Sequence, residues 1–151
     1  MSDKLKVFVY GTLKRGHGNH RFCESASKIE KASVHGSLFR SWSLPYASIP
    51  WKMVIGQGSV READLKLLQA ACKLPVYGNP RIFGELVTFD DWDQLESLDM
   101  LEGYRYDGAS HYERVLTQCV TETGGIETCW IYVIGNKDRA LKKIESGVWQ
   151  P

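Results

Sequence analysis

The sequence predicts an α+β protein in which strands form a small mixed β-barrel with two to four flanking helices. Two observations predict this class. Segments rich in β-formers outnumber helical patterns, and the two kinds do not alternate regularly enough for a doubly wound parallel sheet. The chain has 151 residues, of which 43% are hydrophobic and 25% charged. Because this size and composition suit one globular core, we expect residues 1–151 to form a single domain.

The first half of the chain is predicted to hold three strands and one short helix. Residues 5–10 (LKVFVY) are rich in β-formers and are followed by Gly11, which predicts a first strand that runs into a loop. The other predicted elements are a short helix over residues 19–29 and strands over residues 34–39 and 46–49, the last bracketed by Pro45 and Pro50.

The middle of the chain carries a well-defined helix pattern. Ser59 and Glu62 have the spacing of a capping box, and apolar residues then recur at helical spacing as far as Pro75. A helix is therefore predicted over residues 60–74.

The second half of the chain is predicted to hold three strands and a third helix. A strand over residues 82–89 leads into this helix, with Asp90 as the expected N-cap. Strands over residues 112–120 and 128–134 flank the turn signal TETGGIE, so they are predicted to pair as a hairpin.

This third helix is predicted to carry a carboxylate on its apolar face. Four apolar residues share one side of this helix at about 100° per residue: Trp92, Leu95, Leu98 and Leu101. By the same count, Glu102 lies about 20° from Leu95, so its side chain is expected to face the core. Such a carboxylate is costly unless it is used.

Glu102 is therefore a candidate general acid and base. Gly103 is expected to end the helix, which would place Glu102 beside the negative end of the helix dipole. Burial and this dipole both disfavour the charged form, so we expect the pKa of the carboxyl to be raised toward neutrality. The alternative is a structural acid that is hydrogen-bonded to a buried tyrosine or a backbone amide.

The loop after the first strand is a candidate anion site. Tyr10, Gly11, Thr12 and Leu13 lie where backbone N–H groups can turn inward, and a glycine lets a ligand approach the backbone closely. The alternative is a tight strand exit with a solvated basic rim. The glycines that follow lack the spacing of a P-loop or a dinucleotide fingerprint, which excludes those nucleotide sites.

Composition excludes several other classes of protein. Lys and Arg number 19 against 18 Asp and Glu, so neither nucleic acid nor an anionic membrane is an expected partner. No apolar run approaches the roughly 18 residues of a membrane span, and no signal peptide is evident, so a cytoplasmic protein is expected. The four cysteines form no C-x-x-C pair, and His17 and His20 lack a third ligand, so no metal site is predicted.

Six motifs between residues 7 and 133 occur in a characteristic order: VFVYGTLKRGHGN, GSLF, FGEL, LDMLEGY, YERV and WIYV. Together they resemble the gamma-glutamyl cyclotransferase-like family, with the closest likeness to its gamma-glutamylamine cyclotransferase branch. The resemblance implies a small mixed barrel with a cavity in which the YGTL backbone holds a glutamyl group. By position, Glu102 matches the family's catalytic glutamate and Tyr10 to Leu13 match its binding loop. Tyr112 matches a tyrosine near the pocket, although an aromatic residue that opens a strand is usually part of a core.

The resemblance also implies a reaction, in which a gamma-glutamyl amine, amino acid or peptide cyclises to 5-oxoproline and releases an amine without metal or cofactor. Two rival interpretations remain open: a module that binds a small ligand without chemistry, and an amide hydrolase in which Glu102 activates water. Residues 51–81 depart from the family pattern and are expected to be a variable insertion beside the pocket. The leaving amine and the oligomeric state are therefore left open.

Overall fold

The computed structural model describes residues 4–11, 23–41, 44–54, 65–66, 69–70, 73–102, 112–134 and 141–149. Within this part of the chain, nine strands and one helix are described from end to end. The strands are β1 (Leu5–Val9), β2 (Lys28–His35), β3 (Ser37–Ser41), β4 (Leu44–Ser48), β5 (Met53–Val54), β6 (Arg81–Phe89), β7 (Tyr112–Thr121), β8 (Ile126–Ile134) and β9 (Lys142–Ile144), and the helix is α1 (Gln94–Glu102).

Five strands close into a barrel in the order β2-β6-β1-β8-β7. The closing pair is β2 with β7, through Ala32 opposite Thr121 and Ser33 opposite Val120. The β1–β8 pair is parallel and the other four pairs are antiparallel. The predicted small mixed barrel is therefore confirmed. Strand β5 pairs with Val115 and Leu116 of β7, which precede the residues of β7 that pair with β2. Strands β4, β3 and β9 form a separate sheet in that order.

The core has an inner and an outer part because the barrel strands alternate their side chains between two faces. The inner part is a cluster that includes Phe8, Ala32, Val34, Ile82, Leu86, Val115, Cys119, Cys129, Ile131 and Val133. The outer part includes Leu5, Val7, Val87, Phe89, Leu116 and Trp130, which pack with Trp92, Leu95 and Leu98 of α1. Because both faces of β1 and β8 are covered, these strands read as nearly continuous apolar runs.

The N-cap of α1 lies one residue later than predicted. The Asp91 carboxylate, not that of Asp90, accepts the backbone N–H of Asp93 at 2.8 Å, as an N-cap does. Asp90 instead forms an ion pair with Lys4 at 2.9 Å, and this contact holds the pKa of Asp90 below its usual range. Asp90 was the wrong cap because its partner comes from a distant part of the chain.

Several element predictions are confirmed and others are wrong. The first strand, the strand over residues 82–89 and the hairpin are confirmed. The helix over residues 19–29 is wrong at its end, because Ile29 lies in β2, which pairs with β6 along its whole length. The strand over residues 34–39 is divided at Gly36 between β2 and β3. Pro45 lies inside β4 rather than before it, and the short strands β5 and β9 were not predicted.

The helix predicted over residues 60–74 is described only in part. Residues 65–66 and 69–70 are helical, whereas Lys73 and Leu74 are not, so the helix ends earlier than predicted. Among the residues described, no helix has the length and apolar character needed to cross a bilayer.

Candidate functional site

The exit of β1 is fixed by a hydrogen-bonded tyrosine. Tyr10 follows β1 directly and is only 5% exposed. Its hydroxyl donates to the backbone carbonyl of Tyr132 in β8 and accepts the backbone N–H of Ala47 in β4 at 3.3 Å. The start of the predicted binding loop is therefore tied to the barrel and to the second sheet.

Gly11 is buried against Pro45 of β4. A Cβ atom at Gly11 would lie 2.5 Å from Pro45 Cγ, a distance at which one of the two groups must move. The stiff proline ring cannot swing aside as the end of a long side chain can. Gly11 is thus required by packing, in addition to the close ligand approach that the sequence indicates. Thr12 and Leu13, the other two predicted binding residues, lie outside the described residues.

Tyr112 opens β7 and reaches the same segment of β4. It is 6% exposed, its hydroxyl donates to the Pro45 carbonyl at 2.6 Å, and its ring stacks on Tyr46 at a centroid distance of 4.9 Å. Tyr10, Gly11 and Tyr112 therefore meet at one end of the barrel, around residues 45–47. The hydroxyl of Tyr112 supports the packing of this end through its bond to Pro45.

Helix α1 ends at Glu102, whose side chain lies outside the described residues. One turn earlier, Asp99 is 7% exposed and accepts hydrogen bonds on both carboxylate oxygens. Arg114 of β7 donates to Oδ2, and the hydroxyl of Tyr132 donates to Oδ1 at 2.6 Å. The turn that precedes Glu102 is thus anchored to β7 and β8.

The Asp99–Arg114 pair is a buried ion pair, with the Arg114 side chain only 1% exposed. Burial raises the pKa of Asp99, and the positive charge of Arg114 and the hydrogen bond from Tyr132 oppose this shift. The Arg114 guanidinium also lies 5.0 Å from the centre of the Trp130 ring, a cation–π distance. Both carboxylate oxygens of Asp99 therefore accept hydrogen bonds from other residues of the protein.

Asp99 is a residue that the sequence reasoning missed, although the signal was present. It lies seven residues after Trp92, which is about 20° away on a helical wheel at 100° per residue. The wheel that selects Glu102 therefore selects Asp99 as well. Its role as an anchor of the helix is shown only by its hydrogen bonds to Arg114 and Tyr132, which are distant in sequence.

A sequence model of the family described as gamma-glutamyl cyclotransferase, AIG2-like, matches residues 7–70 and 53–151. The two matches together cover nearly the whole chain. The chain belongs to the gamma-glutamyl cyclotransferase, AIG2-like family. The predicted family resemblance, and with it the assignment to gamma-glutamyl cyclotransferase-like enzymes, is confirmed.

Relatives in this family support the assignment. The chain is 31% identical over 148 residues to the protein named Putative gamma-glutamylcyclotransferase CG2811 from Drosophila melanogaster, and the match covers 95% of this chain and 81% of that one. The sequence similarity therefore extends along nearly the whole chain and is not confined to one motif.

Two solved structures share the fold of this gamma-glutamyl cyclotransferase-like chain. YkqA from Bacillus subtilis has a TM-score of 0.60 at 21% identity, with 97% of this chain covered, and this chain spans 39% of the length of YkqA. Protein PH0828 from Pyrococcus horikoshii has a TM-score of 0.58 at 21% identity, with 95% of this chain and 88% of that chain covered. At these identities, the likeness concerns the fold alone.

Metal-binding side chains do not gather at the site as far as the structure describes it. Within the described ranges, no group of three or more His, Cys, Asp or Glu side chains is placed to hold a metal ion. Cys23, Cys119 and Cys129 are buried, and none of these three described cysteines forms a disulfide.

Proposed function

We propose that this protein converts a gamma-glutamyl amine, amino acid or peptide to 5-oxoproline and a free amine, with Glu102 as the group that moves the proton. Membership of the family supports the reaction class. The observation that carries the role of Glu102 is the state of its neighbour, because Asp99 has both oxygens engaged by Arg114 and Tyr132. The helical wheel places Asp99 and Glu102 on the apolar face of α1, and the engagement of Asp99 supports Glu102 as the proton carrier.

The proposed chemistry is an internal aminolysis. The α-amine of the glutamyl group attacks its own side-chain carbonyl carbon, the new C–N bond closes a lactam, and the bond to the departing amine breaks. Two protons leave the attacking nitrogen and two reach the leaving nitrogen, so no water or other reactant is consumed. A carboxylate between the two nitrogens carries these protons in successive steps.

The exit of β1 would supply the binding half of the site. A flexible gamma-glutamyl group cyclises only when its amine lies over its carbonyl, so holding this shape supplies part of the rate. Backbone N–H groups of Tyr10 to Leu13 are suited to bind the α-carboxylate or the carbonyl oxygen as charge develops there. The bonds of Tyr10 to Tyr132 and Ala47 support this role, because they fix the backbone from which the loop starts.

The proposal is tested by incubating the purified protein with gamma-glutamyl amines, gamma-glutamyl amino acids and glutathione, and by measuring 5-oxoproline. Release from at least one member of the panel is expected, and the preferred member identifies the leaving amine. Ligand binding without release would favour a binding module, and free glutamate as the product would favour a hydrolase. Either result contradicts the proposal.

Glu102→Gln is the variant that tests the proton carrier. We expect kcat to fall by about 10²- to 10⁴-fold with the fold retained, because an amide cannot exchange the proton. Glu96→Gln, on the exposed side of the same helix, is the matched control and should keep normal turnover. Near-normal turnover in Glu102→Gln would remove Glu102 from the mechanism.

A further inference from the structure

Tyr132 connects the two halves of the proposed site. Its side-chain hydroxyl donates to Asp99 of α1 at 2.6 Å, and its backbone carbonyl accepts the hydroxyl of Tyr10 at the exit of β1. The helix turn before Glu102 and the start of the binding loop are thus joined through a single residue of β8. This arrangement follows from the parallel pairing of β1 and β8, which brings the end of β1 beside residues 132–134.

The connection is shielded from water. Tyr132 is 3% exposed, Tyr10 5%, Asp99 7% and Arg114 2%. Hydrogen bonds in such a low-dielectric setting are stronger than those at the surface, and the loss of one leaves a buried polar group without its partner. The chain Asp99–Tyr132–Tyr10, which we call the relay, is therefore suited to hold one fixed separation between α1 and the loop.

We propose that Tyr132 is a positioning residue, which sets through the relay where the final turn of α1 stands relative to the binding loop. This inference rests on the proposed function, since it takes Glu102 as the proton carrier and Tyr10 to Leu13 as the binding loop. Tyr132 itself need not touch the substrate. Its effect arises because proton transfer requires the carboxyl to stand within hydrogen-bond reach of two nitrogens, and a displacement of about 1 Å can cost up to about 10²-fold in rate.

Tyr132→Phe tests the relay because it removes one hydroxyl and keeps the ring. We expect kcat for 5-oxoproline release to fall about tenfold or more while KM changes less than about twofold, because substrate binding uses the loop and the proton transfers use the helix. Thr117→Val is the matched control. Thr117 is also a buried barrel residue, and its hydroxyl donates to the Trp51 carbonyl at 2.6 Å outside the relay.

The control separates positioning from a general loss of stability. Both variants remove the hydroxyl of a buried residue and one hydrogen bond, and denaturant unfolding measures the loss of stability in each, but only Tyr132→Phe should lose kcat. An equal fall of kcat in both variants, or an unchanged kcat in Tyr132→Phe, would overturn the proposal.

A second measurement keeps the relay testable apart from the reaction. The Glu102 carboxyl is titrated by NMR in the wild type, in Tyr132→Phe and in Thr117→Val. We expect its titration midpoint to move in Tyr132→Phe only, because the surroundings of Glu102 change when its helix turn shifts. If the wild type releases no 5-oxoproline, the proposed function fails while this titration still judges the relay. An identical midpoint in all three proteins would refute it.

Discussion

The two ends of the barrel are built in different ways. At the exit end, where β1 finishes, Tyr10, Tyr112 and Tyr132 use their hydroxyls inside the protein, and the Asp99–Arg114 ion pair is buried. At the entry end, where β1 begins, the inner face carries charges around a cavity of about 430 Å³. There Lys6 pairs with Glu127, and these side chains are 19% and 39% exposed.

The difference shows which end can hold a fixed geometry. A buried hydrogen bond has no competing water, whereas a partly exposed ion pair exchanges its partner for solvent at little cost. The predicted site residues Tyr10, Gly11 and Tyr112 meet at the exit end. Glu102 is the last residue of α1, the helix that is anchored to this end through Asp99. We therefore expect substitutions at the exit end to have larger effects than equivalent ones at the entry end.

The largest effect on stability is expected for Asp99→Leu. This change removes the carboxylate that accepts from the buried Arg114 guanidinium and Tyr132 hydroxyl, which should lower the free energy of unfolding by about 3 to 5 kcal/mol. Denaturant unfolding measures the loss. In the double variant Asp99→Leu/Arg114→Met the buried positive charge is removed as well, so much of the stability should return. A single variant as stable as the wild type would show that the anchor of α1 contributes nothing.

An intermediate effect is expected for Gly11→Ala. The added Cβ meets Pro45 at 2.5 Å, so overpacking should cost about 1 to 3 kcal/mol and should also lower 5-oxoproline release, because the loop starts here. The matched control at the entry end is Gly124→Ala in the β7–β8 turn. Gly124 has φ +88° and open space around its Cβ position, so its cost is backbone strain alone, and turnover should be unchanged. Equal turnover in the two variants would separate Gly11 from the site.

The smallest effect is expected for Lys6→Met at the entry end. Its ion pair with Glu127 is partly exposed, so the free energy of unfolding should fall by no more than about 1 kcal/mol, and by less at high salt. Denaturant unfolding at two salt concentrations measures this change. A loss of several kcal/mol that salt does not reduce would mean that both ends of the barrel are equally rigid.

Local patterns predicted most of the barrel strands and the family. The strands with continuous apolar or alternating patterns, β1, β6, β7 and β8, were predicted within one or two residues at most of their ends, because their side chains report burial directly. Strand β2 was mistaken at its start for a helix, since its polar first half has no clear period. The two-residue β5 and the three-residue β9 form only because a longer strand is available to pair with them.

The candidate site was predictable in its parts but not in its connections. A helical wheel places Asp99 and Glu102 on the same face. It cannot show that Arg114 and Tyr132 donate hydrogen bonds to the Asp99 carboxylate. A glycine after a strand suggests close approach by a ligand, yet Gly11 approaches Pro45, which is 34 residues away in sequence.

The sequence by itself determined the fold class, the family and the positions of the candidate residues, because periodicity and motifs are properties of neighbours along the chain. Only the tertiary structure decided how the barrel closes through β2 and β7, which acid is engaged in a buried ion pair, and how Tyr132 joins the helix to the loop. The physical reason is that hydrogen bonds and ion pairs between distant residues depend on distance and burial, which folding sets and local spacing does not encode.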